Sequence, residues 1–491
     1  MTSPVTCGET SAMNLFSLHG EAALRLRADG AAEDTRISNA NEERALGDLA
    51  RLGFVHAVEN GLAGRSWRWN GTHPASDRAL LALLARFDLD LEVGLAADDV
   101  VWIAAAVARP VAGQASGHAF CGTGFGPAEA VRASLGEFAE TQSWLYRPDD
   151  GGRRCDRRAL GAAALDPWHI LGFSQEQQAR RVDLNEAWRD YDSIPQPSAF
   201  DGEIDWSAVE ALSDRSVRWL PSQVCFGRYA ERAQIAGDGW RADSNGCAAG
   251  RTFESAVSRA LLELVERDAT GIWWYGRISR PALARSIVED DPLDGALARR
   301  AQMGQQAWLL DLTHDLEIPV VAAILADQAG ALLALGFGAE VDSLRAARSA
   351  YREVCQMELS VALVRRRAGQ MGEAARPEDR RLLHWMSAAS IERLPHLRPA
   401  TGLTARMIAA KYDAGVSGSI LERLYRARLE AFAIDLQRPD IGIPAIRAFV
   451  PGLCHFKPRL GHRRLIDVPR ALHWRDPDFN TRDLNETPLL I

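Results

Sequence analysis

The sequence predicts an α/β protein of mixed sheets and long helices, with a short extension at its N-terminal end. Three observations carry this reading. From about residue 75 onward, apolar runs of strand length alternate with much longer amphipathic stretches. Three of those stretches carry polar or acidic side chains three residues apart, a spacing that puts both on one face of a helix. No repeat with a period of roughly 20–50 residues runs through the chain, which argues against solenoids and propellers.

The elements follow in order. Residues 1 to about 40 are polar and poorly periodic and read as a loose arm. The stretch NEERALGDLARLGFVHAV spaces Leu46, Leu49 and Leu52 as a helix would and runs into a strand-like segment. It reads as a plain helix–strand extension in preference to a winged-helix-like unit. RALLALLARF is helical, and VVWIAAAVARP is a buried strand ended by Pro110. Pro127, a residue suited to a first helical turn, opens a long helix to Tyr146. Residues 148 to about 204 are rich in Asp, Arg, Pro and Gly and read as an irregular insertion with helical pieces. VRWLPSQVCF resumes strand character, and FESAVSRALLELVERDATGIWWY is a second long helix. QAWLLDLT, IPVVAAILAD and ALLALGFGAE are three strands, SLRAARSAYREVCQMELSVALVRR is a third long helix, and GIPAIRAFVPG is a final strand. The expected organisation is an arm and extension over 1–74 and one large domain over 75–491.

Bulk properties narrow the function. The chain has 491 residues, 47% of them hydrophobic, enough for a large core. A net charge of −8 argues against a nucleic-acid binder. The seven cysteines form no CxxC pair, which disfavours a structural zinc, and their scatter in so long a chain disfavours a disulfide framework. No apolar run approaches the roughly 20 residues needed to cross a bilayer, and the N-terminal residues lack the form of a signal peptide. These features together predict a cytoplasmic protein without a membrane partner.

The candidate chemistry sits on the three long helices. Glu137 and Glu140 share a face of the first; Glu263, Glu266 and Arg267 share a face of the second; Glu353 and Gln356 repeat the spacing on the third. Such a pair is ordinarily a solvated surface. Here the neighbours are apolar, and carboxylates set among apolar residues require a partner. Mg²⁺ takes carboxylate oxygens together with substrate phosphates, so a magnesium–nucleotide site meets that requirement. Two glycine-bearing turns, CGTGFG (121–126) and SNGCAAG (244–250), lead into the first two helices and offer close backbone approach. Neither is a P-loop or a dinucleotide fingerprint.

The run SNGCAAGRTFESAVSRALLELVERDATGIWW resembles the signature stretch of YcaO proteins, and CGTGFGPAEAVRASLGEFAE resembles their earlier glycine-turn-and-helix block. THDLEIPVVAAIL, GFGAEVDSLRAARSAYREVCQ and GIPAIRAFVPGL follow in the family's order, so the resemblance spans about 75–491. The ending PGLCHFKPRLGHRRLIDVP…LNETPLLI is similar to the azoline-forming branch. The resemblance implies a YcaO-type fold and an ATP-dependent cyclodehydratase that makes thiazoline or oxazoline rings in a ribosomal precursor peptide. It implies ATP and Mg²⁺ as cofactors. Glu137, Glu140, Glu263 and Glu266 would face the metal. Gly122, Gly124, Ser244, Asn245, Gly246, Arg267, Glu353 and Gln356 would face the nucleotide. Arg267, and Ile491 at the end of a functional tail, would act in catalysis. Thr123, Arg251, Ser255 and Ser349 depart from the family's common residues.

About 75 residues precede the matched region, too few for a ThiF-like domain, so the expected peptide carrier is a separate leader-binding or ThiF-like protein. A flavin dehydrogenase and a homodimer stay open as partners. Two other functions stay open beside the first: a YcaO enzyme that installs a thioamide or amidine, and a catalytically silent peptide-binding scaffold.

Overall fold

The computed structural model describes residues 35–36, 50, 54–59, 65–69, 79–81, 83–84, 87, 89–108, 119–189, 191–233, 240, 242–372, 376–402 and 416–490. Leu46, Leu49 and Leu52, on which the N-terminal helix was read, lie outside these residues, as does Ile491. The chain forms two compact units, one of residues 1–139 with 439–443, the other of 140–438 with 444–491.

In the first unit, β1 (Thr35–Arg36), β2 (Val55–Glu59) and β3 (Arg65–Trp69) form a small antiparallel sheet in the order β1-β3-β2. A second antiparallel sheet is a meander of β4 (Leu89–Leu95), β5 (Trp102–Ala108) and β6 (Ala119–Gly124). Helix α1 (Pro127–Trp144) packs on this meander along its first turns. Ser134 fastens it: the hydroxyl donates to the Phe120 carbonyl and accepts from the Ala106 amide, both at 2.8 Å. Phe138 meets the edges of Phe87 and Phe120 at 5.0 and 5.1 Å between ring centroids. Gly122 and Gly124 are glycine for this packing, since a Cβ would fall 2.0 Å from the Ser134 nitrogen in the first case and 2.6 Å from the Glu129 Cβ in the second.

The second unit holds two antiparallel sheets. One runs β10 (Cys247–Ala249), β15 (Ala445–Phe449), β14 (Phe432–Asp435), β8 (Glu203–Ala211) and β7 (Arg153–Asp156), with β9 (Val217–Pro221) also paired to β8. The other is the meander β11 (Gln305–Asp311), β12 (Val320–Asp327) and β13 (Leu332–Ala339). The long helices are α2 (Phe253–Gly276) and α3 (Ser343–Met371), followed by α4 (Pro377–Ala388) and α5 (Arg464–Ala471). A capping box starts α2: Thr252 Oγ1 accepts from the Ser255 amide at 3.1 Å, and Ser255 Oγ accepts from the Thr252 amide at 3.0 Å.

Residues 148–204 are more ordered than their composition predicts. Short capped helices follow β7, and Leu171, Phe173, Leu184, Trp188, Ile194 and Phe200 are buried in one core cluster with the strand residues Val209, Phe432 and Phe449. Strands β8 and β14 have no counterpart in the sequence reading. EIDWSAVEA is interrupted by charge, and FAID is too short to announce itself.

His396, His455 and His462 of this unit are buried, and burial drives the pKa of each down to about 4. Positive neighbours add to it at two of them, Arg277 and Arg475 at His396 and Arg459 at His455, where Asp243 opposes. The unfolded chain binds these protons more readily than the folded one. The stabilisation is therefore complete above about pH 6.5 and is lost as pH falls toward 4, on the order of 3 kcal/mol for each imidazole. Urea unfolding followed from pH 7 to pH 4.5 is expected to show this loss, and His396→Phe is expected to reduce it by about a third.

Candidate active site

Helix α2 brings Glu263, Glu266 and Arg267 to one face, as the i, i+3, i+4 spacing requires. Arg267 Nη1 lies 3.2 Å from Glu266 Oε1 and Nε lies 3.8 Å from Glu263 Oε1. Both nitrogens are buried, and neither is aligned for a hydrogen bond within the protein, so these pairs are electrostatic contacts and leave donor directions unspent. The guanidinium also lies over the Phe456 ring, 4.9 Å from its centroid.

The third acidic residue arrives from α3. Gly336 and Gly338 in β13 have no side chains to keep that helix away. A Cβ on Gly336 would sit 2.3 Å from the Ala350 carbonyl oxygen, and one on Gly338 would sit 2.6 Å from that of Ala346. The close approach lets Glu353 Oε2 accept from the Phe337 amide. Two residues along the same strand, the Ala339 amide donates to Glu266 Oε2 at 3.1 Å. One strand thus holds carboxylates from two helices. Burial pushes Glu266 up to about 8, with Arg267 opposing and Glu353 and Glu263 adding to the rise; burial raises Glu353 as well. Burial works against the charge on Arg267, yet Glu266, Glu353, Glu263 and Asp243 hold its pKa above the usual guanidinium value. Gln356 lies half-buried one turn beyond Glu353.

The turn before α2 is tight. The Cys247 amide donates to the Ser244 carbonyl at 2.8 Å, and Gly246 adopts φ 80°, with its carbonyl accepting from the Ala448 amide at 2.8 Å. A Cβ on Gly246 would lie 2.4 Å from the Ala448 oxygen. Ser244 is exposed, while Asn245 Oδ1 is buried without a protein partner. Burial lifts the Cys247 thiol well above its ordinary value; Arg447 opposes this, and Glu140 and Glu263 add to it. Both carboxylates therefore lie within electrostatic reach of the strand that follows the turn.

Glu137 lies in the first unit, where burial raises its carboxyl and where its charge raises the Cys121 thiol after the larger effect of that thiol's own burial. Gly122 and Gly124 lie in the same unit, in the strand-to-helix packing described above. Of the departing residues, Ser255 closes the α2 capping box, Arg251 is exposed beside it, Thr123 is half-buried in β6 and Ser349 is half-buried on α3. Arg348, next to Ser349, pairs with Asp291, its Nε 3.0 Å from Oδ1.

A second polar network backs the turn and has no signature in sequence spacing. Asp243 and Asp192 both bind Arg459: Nη2 reaches Asp243 Oδ2 at 2.6 Å, and Nε and Nη2 each reach Asp192 at 3.0 Å. Burial opposes the charge of both carboxyls, but Arg459 and Lys457 hold them below the usual carboxylate range. The Asn245 amide donates to Asp243 Oδ1 at 3.2 Å. Behind α2, Asp268 accepts from Arg464 at 2.6–3.1 Å and from the Cys454 amide at 2.7 Å, tying α5 and the 451–460 segment to the helix. At the far end of α2 lies a cavity of about 450 Å³ lined by Arg277, Arg280, Asp311, Trp474 and Arg475. Its arginines close the helix end: Arg475 binds the Gly276 and Arg277 carbonyls, and Arg280 binds the Asp311 carbonyl.

A family model described as YcaO cyclodehydratase, ATP- and Mg²⁺-binding, matches residues 121–454. The chain belongs to the YcaO family. Its cofactors are accordingly ATP and Mg²⁺. Among solved structures this YcaO chain is similar to a heterocyclase in complex with substrate and cofactor, at 27% identity and a TM-score of 0.74, over 85% of this chain and 57% of that one. It is similar to the heterocyclase TruD at 30% identity and a TM-score of 0.63, over 74% of this chain and 52% of that one. It thus spans little more than half the length of either heterocyclase. A curated relative, an uncharacterized protein of Methanothermobacter thermautotrophicus, is 29% identical over 273 residues, 53% of this chain and 68% of its own length.

The residues present fit these cofactors. The grouped carboxylates offer hard oxygen donors, Arg267 keeps donor directions unspent, and Asn245 Oδ1 lacks a partner. Among the described residues no three acidic, His or Cys side chains are closed into a ready cation cage. Mg²⁺ does not require one, because it takes one or two carboxylates and completes its shell with phosphates and water. Among the same residues no helix is long and apolar enough to cross a membrane.

One prediction concerns Asp268, which follows Glu266 and Arg267 directly but serves the fold. Asp268→Ala leaves Arg464 with Asp315 as its remaining carboxylate and takes the acceptor from the Cys454 amide, and it is expected to destabilise the protein by about 3 kcal/mol in urea unfolding.

Proposed function

We propose that this YcaO chain is an ATP-dependent cyclodehydratase that forms thiazoline or oxazoline rings at Cys, Ser or Thr residues of a ribosomally made precursor peptide. The observation that carries the proposal is the buried convergence of Glu263, Glu266 and Glu353 around Arg267. Carboxylates pressed together out of water call for a cation, and Arg267 beside them is placed for phosphate oxygens. Similarity at 30% identity to a protein described as a heterocyclase supports the ring-forming reading.

In this reading Glu137, Glu140, Glu263 and Glu266 serve the metal. Ser244, Asn245, Gly246, Glu353 and Gln356 serve the nucleotide, together with the turn of Gly122 and Gly124. The peptide's side-chain sulfur or oxygen forms a bond to the preceding carbonyl carbon and loses its proton. The former carbonyl oxygen departs as phosphate, and the amide nitrogen loses its proton as the C=N bond forms, so the peptide is lighter by the elements of one water per ring. The bound nucleotide supplies the phosphoryl group that makes the oxygen a leaving group. Arg267 offsets the charge that develops, and α2 and α3 hold it in register.

The expected partner is a separate protein that binds the leader of the precursor, since binding energy from a remote leader orders the reacting segment. We place the reaction in the cytoplasm, in keeping with free thiols at all six described cysteines.

Glu266→Gln is expected to keep the thermal unfolding profile and to abolish ATP-dependent dehydration, read as the loss of a product lighter by about 18 Da per ring. Full turnover in that variant would refute the metal assignment. Mass analysis also separates the other YcaO reading, because a thioamide makes the product heavier. Adding a leader-binding protein is expected to raise the rate sharply. Efficient turnover by this chain alone would refute the need for a carrier.

A further inference from the structure

The segment Asn485–Leu490 is held by its main chain. Trp274 Nε1 donates to the Thr487 carbonyl at 2.8 Å, Trp385 Nε1 donates to that of Pro488 at 3.0 Å, and the Tyr191 hydroxyl donates to that of Leu489 at 2.6 Å. These three aromatic donors come from α2, from α4 and from the 148–204 region, and they take three successive carbonyls. Upstream, the Asn485 amide donates to the Tyr275 carbonyl at 2.7 Å, and Asn485 Oδ1 accepts from Arg277 Nη2 at 3.2 Å. Leu489 is fully buried. Burial of apolar side chains alone would seat a segment without fixing its register. Matched donors on consecutive carbonyls fix it to a single residue. Pro488 suits this grip, since it brings a carbonyl with no N–H to satisfy and holds the chain extended.

Tyr191 is also one residue from the network behind the nucleotide turn. Asp192 binds Arg459 through both carboxylate oxygens, Arg459 binds Asp243, and Asp243 binds the Asn245 amide. The charges of Arg459, Asp243 and Arg267 all act on the Tyr191 hydroxyl. From the Leu489 carbonyl to the Asn245 amide the connection runs through the Tyr191 side chain, the Tyr191–Asp192 peptide link and then the side chains of Asp192, Arg459 and Asp243, each buried or half-buried.

We propose that Tyr191 is a positioning residue that registers the 485–490 segment against the 244–246 turn through Asp192, Arg459 and Asp243, with Trp385 as the second holding residue. This rests on the reading of that turn as part of the ATP site and gives the segment a physical link to it. Seating of the segment and binding of nucleotide then strengthen each other, by the reciprocity that governs any two linked sites.

The test uses the full chain, Tyr191→Phe, a chain truncated before Leu489, and the double variant. Hydrogen exchange of residues 485–490 is measured with and without AMPPNP and Mg²⁺, beside ATP-dependent dehydration of a precursor peptide. Exchange in the segment is expected to quicken about tenfold in Tyr191→Phe, the scale of one lost hydrogen bond. AMPPNP with Mg²⁺ is expected to slow it in the parent chain and to leave it unchanged in the variant. For dehydration, kcat falls about tenfold with KM for the peptide held, and the substitution costs nothing further in the truncated chain. Unchanged exchange in Tyr191→Phe, no response of the parent segment to the nucleotide analogue, or the same fold-loss in truncated and full chains would each overturn the proposal. Absence of dehydration by the parent chain would instead count against the functional reading, and the exchange measurements would still decide the relay. Trp385→Phe is expected to repeat the pattern of Tyr191→Phe.

Discussion

Two carboxylates, Glu266 and Glu353, brought from separate helices and pressed out of water, are the constraint on which the second unit depends. Glu353 and Glu263 both act against the charge of Glu266, and burial deprives Glu266 and Glu353 of the solvation that would make this tolerable. The surrounding structure offsets the cost by specific means. Arg267 supplies an opposing charge on the same helix face, and Phe337 and Ala339 each lend an amide. The Phe337 amide reaches Glu353 because Gly336 and Gly338 let α3 rest directly on strand backbone. Around this centre, ion pairs at Asp268 and Asp243 fasten the 451–464 segment to α2 and to the turn that precedes it.

The parts of this arrangement that were legible in the sequence are those set by local spacing. Acidic residues at i and i+3 fall on one helical face whatever the tertiary structure, so the faces of α1, α2 and α3 could be read directly. The three-strand meander β11–β13 was equally plain from its apolar runs. The Asp192–Arg459–Asp243 network was hidden for the opposite reason. Asp192 and Arg459 stand 267 residues apart, and no local pattern connects them. Only the presence of charge inside an otherwise apolar strand-and-turn segment, PGLCHFKPRL, hinted that Arg459 had a buried partner. Tyr191 carried no signal at all, because it lies in a stretch whose composition suggested an irregular loop.

The departures from the family's common residues divide by environment. Ser255 is accounted for locally, since its hydroxyl completes the cap that starts α2. Gly122 and Gly124 show the reverse case. They match the family's glycine turn, and the visible reason for their being glycine is the closeness of strand to helix. Matching a motif and contacting a ligand are separate properties, and at these two positions packing alone is enough to require the residue. Nothing in the structure explains Arg251 or Thr123.

The strand order of the six-stranded sheet has a consequence for the making of the protein. Strands β14 and β15 lie between β8 and β10, so Ala211 pairs with Phe432 and Cys247 with Arg447. While a ribosome is still extending the chain, β8 can pair early with β7 and β9, but β10 has no partner strand until Ala445–Phe449 has emerged. Pairings of such long range are slow to form, and their unpaired edges are exposed in the interval. The turn at 244–246 gains its Ala448 partner only in the same late step. A nascent chain therefore lacks the Ala448 partner of that turn, and an unfinished chain exposes β10 to chaperones and proteases until β15 has emerged.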